Sequence, residues 1–355
     1  MRVDSAADAR WMAAALALSE RTRARTYPNP NVGCVLVRDG TVVGRGWTQS
    51  GGRPHAEAMA LDQAGARARG ATAYVTLEPC AHASPRGPAC ADLLVAAGIV
   101  RAVVALGDPD PRTDGSGLAR LRVAGIAVEL GRGADAARRA MAGFLTRRTL
   151  GRPHVTLKLA LSLDGAAAMA DGRSQWITGR EARAHAHLER ARHGAILVGR
   201  GTWEADRPRL DVRLAGLEAR APLRVVLSSG AEAAGDPHPS GATRLPPSPA
   251  GSEKAPIAVG DGKGGGDSVW ITTPAAIAAL RADHLLVEGG ARTAAAFLRA
   301  DLVDRLLLYR APILIGGGRT LPDIGLAALG DAHARWRLAD SRQLGSDRLE
   351  VYERG

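Results

Sequence analysis

The sequence predicts a layered α/β protein of two domains. Three observations carry this. The chain has 355 residues, 46% of them hydrophobic, which is enough for two domains each with its own core. Apolar runs of strand length alternate with segments of helical period along nearly the whole chain. The punctuation Gly151-Arg152-Pro153 interrupts that alternation, and a strand pattern restarts at Val155. A first domain is therefore expected over residues 1–150 and a second over 153–355.

The elements follow in order. Residues 5–20 suit an Ala/Leu helix. Gly33 to Trp47 reads as two strands around Asp39-Gly40, a strong hairpin dipeptide. His55 to about Arg69 is helical, Ala73 to Leu77 a short strand, and Cys90 to Ala97 a helix closed by Gly98. Val100 to Leu106 is a buried strand, Leu118 to Val123 a helix, Ile126 to Leu130 a strand, and Ala134 to about Thr149 one basic helix. The second half predicts strands at 155–161, 194–198, 223–228, 284–287, 304–310 and 348–353, with helices at 180–192, 274–281 and 291–299. Ser229 to Asp267, rich in Ser, Gly, Pro and Ala, reads as a long loop or insertion. The chain shows no internal repeat and no coiled-coil heptads.

Composition narrows the function classes. Aromatic residues are only 3%, so Ala, Leu and Val must fill the cores. The net charge of +11 favours phosphates, dinucleotides or nucleic acid without choosing among them. The three cysteines are too few and too odd for a disulfide framework and point to a reducing cytoplasm. The apolar run Trp11 to Leu18 is too short to span a membrane, and Asp4 and Asp8 precede it, so it reads as a helix rather than a signal peptide.

The chemistry is concentrated in His55-Ala56-Glu57, Pro79-Cys80 and Cys90. A histidine and two thiolates suit Zn²⁺ and leave a fourth tetrahedral position for water. Glu57 is then the general base and acid, taking a proton from that water and returning one to a leaving amine. H-x-E followed by P-C and a second cysteine is the signature of zinc deaminases acting on nucleobase-like rings. Any one of these residues is better read as a helix cap or a buried thiol, but the ordered set is not. Cys34, within an apolar strand, is read as a packed and inert thiol. Pro28-Asn29-Pro30-Asn31-Val32-Gly33 makes a rigid turn from which Asn29 is a candidate hydrogen-bond partner for a heterocycle or its sugar. In the second half, Glu288-Gly289-Gly290 is a strand end, two glycines and a helix start, a place that exposes backbone N–H groups to a phosphate; it is not a G-x-G-x-x-G fingerprint, and taken alone it reads as an ordinary strand–helix turn.

The first-half segments, Pro28 to Val35, Pro54-His55-Ala56-Glu57 and Thr76 to His82, resemble the pyrimidine deaminase half of the bifunctional riboflavin-biosynthesis deaminase/reductase family. The wide spacing of the two cysteines is unlike the close C-x-x-C of cytidine deaminases and favours the riboflavin branch. The family usually reads E-P-C-S-H and then G-R-T-P-P-C; here Ala81 to Cys90 is one residue longer. In the second half, Lys158 to Gly165, Ser174 to Gly179, Val198 to Thr202, Asp206 to Leu210 with Arg213, and Leu286 to Gly290 resemble the reductase half of the same family.

The resemblance implies a cytidine-deaminase-like three-layer α/β/α domain followed by a dihydrofolate-reductase-like α/β domain. It implies Zn²⁺ held by His55, Cys80 and Cys90, Glu57 as catalytic residue, and NADPH as hydride donor. Ala160, Trp176, Thr202, Asp206 and the turn Gly290, Ala291, Arg292, Thr293, Ala294, Ala295, Ala296 would border NADPH. Ser174, Arg190, Leu210, Arg213 and Glu288, with Lys158 reaching the ribose, would border the substrate. The first reaction would be hydrolytic deamination of 2,5-diamino-6-ribosylamino-4(3H)-pyrimidinone 5′-phosphate, and the second NADPH-dependent reduction of the ribosyl group of the product. The family often has a second aspartate where Arg207 stands. The expected partners are the phosphorylated pyrimidine and, as a homo-oligomer, further copies of the chain; neither nucleic acid nor a membrane is expected. A rival reading, a nucleic-acid deaminase with a basic second half, needs aromatic stacking platforms that two Phe and four Tyr do not provide. A second rival, a structural zinc protein, needs a fourth protein ligand and no Glu57.

Overall fold

The computed structural model describes residues 5–82, 84, 87–228, 242–243, 258–260 and 268–355. The chain divides into two compact units, one ending at Gly151 and the other running from Arg152 to Gly355.

The first unit is built on a five-stranded sheet. Its strands are β1 (Gly33–Arg38), β2 (Thr41–Trp47), β3 (Thr72–Val75), β4 (Arg101–Val104) and β5 (Ala127–Leu130), in spatial order β2-β1-β3-β4-β5. β1 pairs antiparallel with β2 and β3, and β3, β4 and β5 run parallel. The hairpin turn is at Asp39-Gly40, both with positive φ, as the sequence predicts. The helices are α1 (Ser5–Ser19), α2 (Ala56–Ala64), α3 (Cys90–Ala96), α4 (Ser116–Val123), α5 (Ala134–Ala140) and α6 (Ala142–Leu150).

The layers can be read from three glycines. A Cβ on Gly44 or Gly46 of β2 would meet the carbonyl oxygens of Ala60 or Ala56 of α2 at 2.1 and 2.0 Å. One on Gly33 of β1 would meet Ala15 O of α1 at 1.9 Å. Gly46 is opposite Cys34 and Gly44 opposite Leu36, so α2 covers the face of Cys34 and α1 covers the other. α3 and α4 continue the α2 layer, and α5 packs beside α1. The result is an α/β/α sandwich whose core includes Met12, Leu36, Leu77, Leu94 and Leu121.

Two expected helices differ. The one from His55 stops at Ala64, because Gly65 turns to φ 53, and a 3₁₀ turn Gly65–Ala68 follows. The basic helix from Ala134 is two helices, broken at Met141 (φ −106, ψ 17), whose side chain is buried in the core. Burial of that side chain outweighs the unbroken helical propensity of the segment.

The second unit carries a ten-stranded sheet. Its strands are β6 (His154–Leu161), β7 (Ala195–Gly199), β8 (Leu223–Leu227), β9 (Ala242–Thr243), β10 (Ala258–Gly260), β11 (Ser268–Ile271), β12 (His284–Val287), β13 (Arg305–Arg310), β14 (Trp336–Leu344) and β15 (Asp347–Arg354). The order is β14-β15-β13-β6-β12-β7-β8-β11-β10-β9, parallel from β13 to β11 and antiparallel at both margins. The helices are α7 (Arg180–Ala191), α8 (Arg200–Asp206) and α9 (Ala291–Arg299). Pro274–Ala279 is a 3₁₀ helix where an α-helix is expected. The sequence does not predict β9 and β10 within the expected loop, β11, the edge strand β14 with its mostly exposed and polar side chains, or the seven-residue α8. Most of Ser229 to Asp267 lies outside the described residues.

Candidate active sites

The first site is assembled at the carboxyl side of the first sheet from three chain segments. Pro54 ends an extended stretch, and His55 is the N-cap of α2 (φ −73, ψ 161), so its ring points off the helix start. Glu57 is in the first turn, where a carboxylate suits the helix dipole. Cys80 follows β3 through Glu78-Pro79, and Cys90 opens α3. His55 Nδ1 lies 3.3 Å from Cys90 Sγ and 3.6 Å from Cys80 Sγ, and the three ligand atoms fall within 4.8 Å of one another. Zinc bonds of about 2.0–2.1 Å to N and 2.3 Å to S, at a tetrahedral angle, put N and S about 3.5 Å apart. The donor set and its spacing therefore fit Zn²⁺. His82, two residues after Cys80 and thus a possible competitor of Cys90 for the metal, faces Thr113 Oγ1 at 3.4 Å instead. Ala83, Pro85 and Arg86 of the lengthened loop lie outside the described residues.

The electrostatics separate the two thiols. Cys80 accepts from the Cys90 thiol, from its backbone N–H at 3.3 Å and from His55, which pull it down to about 4 against burial. The N–H at the start of α3 thus favours the thiolate, as helix N-termini do. Cys90, which keeps the shared proton and is buried, is raised. Burial pushes Glu57 up to about 7, with His55 opposing and Cys80 adding to the rise. Glu57 is 3% exposed. A dication nearby acts in the opposite direction and favours the carboxylate.

Two further groups frame this site. Asn29 donates from Nδ2 to Gly52 O at 2.8 Å and faces His55 Nε2 at 3.1 Å. Its side-chain amide therefore packs against the ring of His55 and limits the ring's orientation. Glu78 is quoted in the sequence motif without a role, yet its buried carboxylate accepts N–H groups from Asp108, Gly115, Gly117 and Leu118 at 3.2, 3.1, 2.8 and 3.1 Å. It fixes the loop before α4 to the segment that carries Cys80. The available signal was a glutamate ending an apolar strand, where a buried carboxylate needs partners.

The second site is a cavity of about 400 Å³ at the carboxyl ends of β6, β7 and β12, where open α/β sheets place ligands. It is lined by Lys158, Ala160, Ser174, Trp176, Arg190, Thr202, Asp206, Leu210, Arg213, Glu288 and Gly290, all expected from the sequence. Of the turn after Gly290, Ala294 and Ala295 face the protein interior and Thr293 packs against Gly199 and Gly289. Gly290 caps α9, and a Cβ there would meet only Thr202 Oγ1, at 3.7 Å. A ligand phosphate can thus approach the N–H groups that open α9, which is what a dinucleotide requires.

Arg190 and Glu288 are partners of each other. Two parallel bonds join them at 2.8 and 2.9 Å, and Arg190 also donates to Asp211 O at 3.0 Å. Burial alone would raise Glu288; Arg190 and Lys158 outweigh it and hold Glu288 low. Burial lowers Lys158, with Glu288 opposing. Val287 is level with Leu157, which sets Glu288 beside Lys158. The ammonium stands 5.7 Å from the centre of the Tyr309 ring, whose hydroxyl bonds His185 Nδ1 at 2.8 Å. The sequence reading does not single out Arg183, His187 or Arg209, which also line the cavity; nothing in their local sequence separates them from solvated charges.

The family model for the cytidine and deoxycytidylate deaminase zinc-binding region matches residues 5–106, and the model for the RibD C-terminal domain matches 153–349. The riboflavin biosynthesis protein RibD of Escherichia coli (strain K12) is 41% identical over 363 residues, spanning 96% of this chain and 97% of that protein. The chain belongs to the RibD family. RibD of Aquifex aeolicus (strain VF5) is 38% identical, spanning 98% of each chain. Among solved structures, RibD of Acinetobacter baumannii superposes with a TM-score of 0.81 at 34% identity, covering 99% of this chain and all of that one. A Thermotoga maritima protein described as a diaminohydroxyphosphoribosylaminopyrimidine deaminase/5-amino-6-(5-phosphoribosylamino)uracil reductase gives 0.82 at 29% identity, covering 99% of each. The two RibD activities divide between the two units: a zinc-dependent deaminase in the first and an NADPH-dependent reductase in the second.

Proposed function

We propose that the first site deaminates 2,5-diamino-6-ribosylamino-4(3H)-pyrimidinone 5′-phosphate and that the second reduces the ribosyl group of the resulting 5-amino-6-(5-phosphoribosylamino)uracil to ribityl. The observation that carries this is the coexistence of a His-Cys-Cys set beside a buried glutamate with a separate cavity at the strand ends of the second unit. Zinc held by His55, Cys80 and Cys90 supplies Lewis acidity that makes water a nucleophile near neutral pH. Glu57 accepts a proton from the attacking water, and the water oxygen bonds to the amine-bearing ring carbon. Glu57 then returns the proton to the departing nitrogen, the C–N bond breaks and ammonia leaves. Asn29 steadies the ring of His55 and keeps its amide oxygen for the heterocycle.

NADPH supplies the hydride in the second site. Gly290 and the start of α9 take a phosphate of the dinucleotide, and Thr202, Asp206, Ala160 and Trp176 border the rest. Ser174, Leu210, Arg213 and the Arg190–Glu288 pair border the pyrimidine nucleotide, with Lys158 toward the ribose. A cytoplasmic location fits the three free thiols. Self-association fits the exposed Leu314, Leu329 and Leu338 of the second unit.

The deciding experiment supplies the full chain with the diaminopyrimidine phosphate and follows ammonia release and NADPH oxidation together. Both are expected, and a zinc chelator should stop both. Supplying the already deaminated compound should restore NADPH oxidation in the presence of chelator. Failure of that restoration in a folded protein would overturn the division of labour.

A further inference from the structure

We propose that Arg207 reads a phosphate monoester in the reductase cavity and so determines ligand specificity there; this rests on the reading that the cavity receives NADPH and the phosphorylated pyrimidine. Five arginines line the cavity: Arg183, Arg190, Arg207, Arg209 and Arg213. Four of them are committed within the protein. Arg183 donates to Thr178 O at 2.6 Å and stacks over Trp176. Arg190 is bound to Glu288. Arg209 pairs with Asp211 at 2.7 Å, and Arg213 reaches both His187 Nε2 at 3.3 Å and Asp211 at 3.5 Å. Arg207 alone differs. Among the described residues its guanidinium has no carboxylate, carbonyl or ring partner; only its backbone N–H is bonded, to Trp203 O at 3.1 Å.

The backbone holds this arginine in place at some cost. Arg207 is the C-cap of α8 with φ 42 and ψ 52, a left-handed conformation that favours glycine or asparagine. Pro208 follows and restricts it further. A side chain chosen for capping alone would not be an arginine. Its neighbours Asp206 and Leu210 line the same cavity, and Thr202 stands one turn earlier on α8. An uncommitted guanidinium on a cavity wall, in a fixed backbone, matches a doubly charged phosphate through two parallel N–H bonds. Two ligands of this cavity carry such a group: NADPH at its 2′ position and the pyrimidine nucleotide at its 5′ position.

The test uses full-length R207A, R207K and R207D with the deaminase unit intact. Binding of NADPH and NADH is measured by nucleotide fluorescence without substrate. KM is measured for the deaminated pyrimidine phosphate and for its dephosphorylated nucleoside. R207A is expected to weaken one phosphorylated ligand about tenfold while leaving its unphosphorylated counterpart within about twofold. R207K should recover part of the loss, R207D should exceed it, and added salt should shrink the wild-type advantage. Loss confined to NADPH assigns the 2′-phosphate, and loss confined to the pyrimidine assigns the 5′-phosphate. If R207A binds every ligand as wild type does, or loses phosphorylated and unphosphorylated forms equally, the proposal is wrong while the cavity reading stands. If the wild-type chain binds no NADPH, the cavity reading falls and the proposal falls with it.

Discussion

The two sites are built in opposite ways. The deaminase site takes its chemistry from four side chains on two helix starts and one loop, and its ligand atoms lie within 4.8 Å of one another. The reductase cavity gathers side chains from Lys158 to Gly290, and its borders range from buried Leu210 to Trp176, which is 66% exposed. A metal site concentrates function in a few atoms whose loss is decisive. A cofactor cleft spreads binding over many contacts, each of modest size. Single substitutions should therefore act all-or-none in the first unit and by degrees in the second.

The largest contrast is expected from the metal ligands. Cys90→Ser should remove most of the zinc and all measurable deamination, while reduction of the deaminated pyrimidine continues at the wild-type rate. His82→Ala should keep its zinc. Bound metal per folded chain, read beside both activities, checks this; retention by Cys90→Ser with loss by His82→Ala would mean that the lengthened loop has re-registered the site.

Glu57→Gln should hold zinc and lose roughly 10²–10⁴-fold in deamination, because glutamine cannot carry the proton. Near-normal ammonia release from a zinc-loaded variant would remove Glu57 from the mechanism.

In the second unit the largest single effect should come from Arg190→Ala. It leaves Glu288, 7% exposed, as a buried charge without its bidentate partner. Breaking a buried pair from one side costs about 3–5 kcal/mol. The denaturation midpoint of the reductase unit should fall accordingly while deamination is unchanged. A midpoint within error of wild type would show that Lys158 alone neutralises Glu288.

A smaller effect concerns pH. Glu57 is raised from 4.5 to about 7 by burial, so the folded metal-free unit binds that proton more tightly than the unfolded chain does. This contribution to stability is full below about pH 4.5 and is lost as the pH rises through 7. At about 1.4 kcal/mol per pKa unit it amounts to about 3 kcal/mol. In zinc-stripped protein at pH 8, Glu57→Gln should therefore be more stable than wild type, and the gap should close toward pH 4.5. A gap that stays constant across that range would place the variant's effect elsewhere.

Much of the first unit is legible in the sequence. The hairpin at Asp39-Gly40, α1, β4 and the His55-Cys80-Cys90 set all come from turn chemistry, apolar runs and a dense motif. Met141 shows where such reading stops: nothing local marks it as a break, because a buried side chain rather than a Gly or Pro interrupts the helix. β14 was missed because an exposed edge strand has no apolar face to alternate. The partnership of Arg190 with Glu288, 98 residues apart, was equally invisible, and each was read singly as a contact for substrate.

The sequence by itself determined which chemistry the chain carries. Metal ligands, a proton shuttle and glycines at a helix start are residue types tied to short spacings, and short spacings survive in one dimension. Only the tertiary structure decided how charges are spent. Of the cavity's arginines, Arg190 is held by Glu288, 98 residues away, and Arg213 reaches His187, 26 residues away, whereas Arg207, also on the lining, has no side-chain partner among the described residues. Glu78 is satisfied by four N–H groups that lie 30 to 40 residues away. Electrostatic pairing acts over a few ångströms of space and takes no account of distance along the chain.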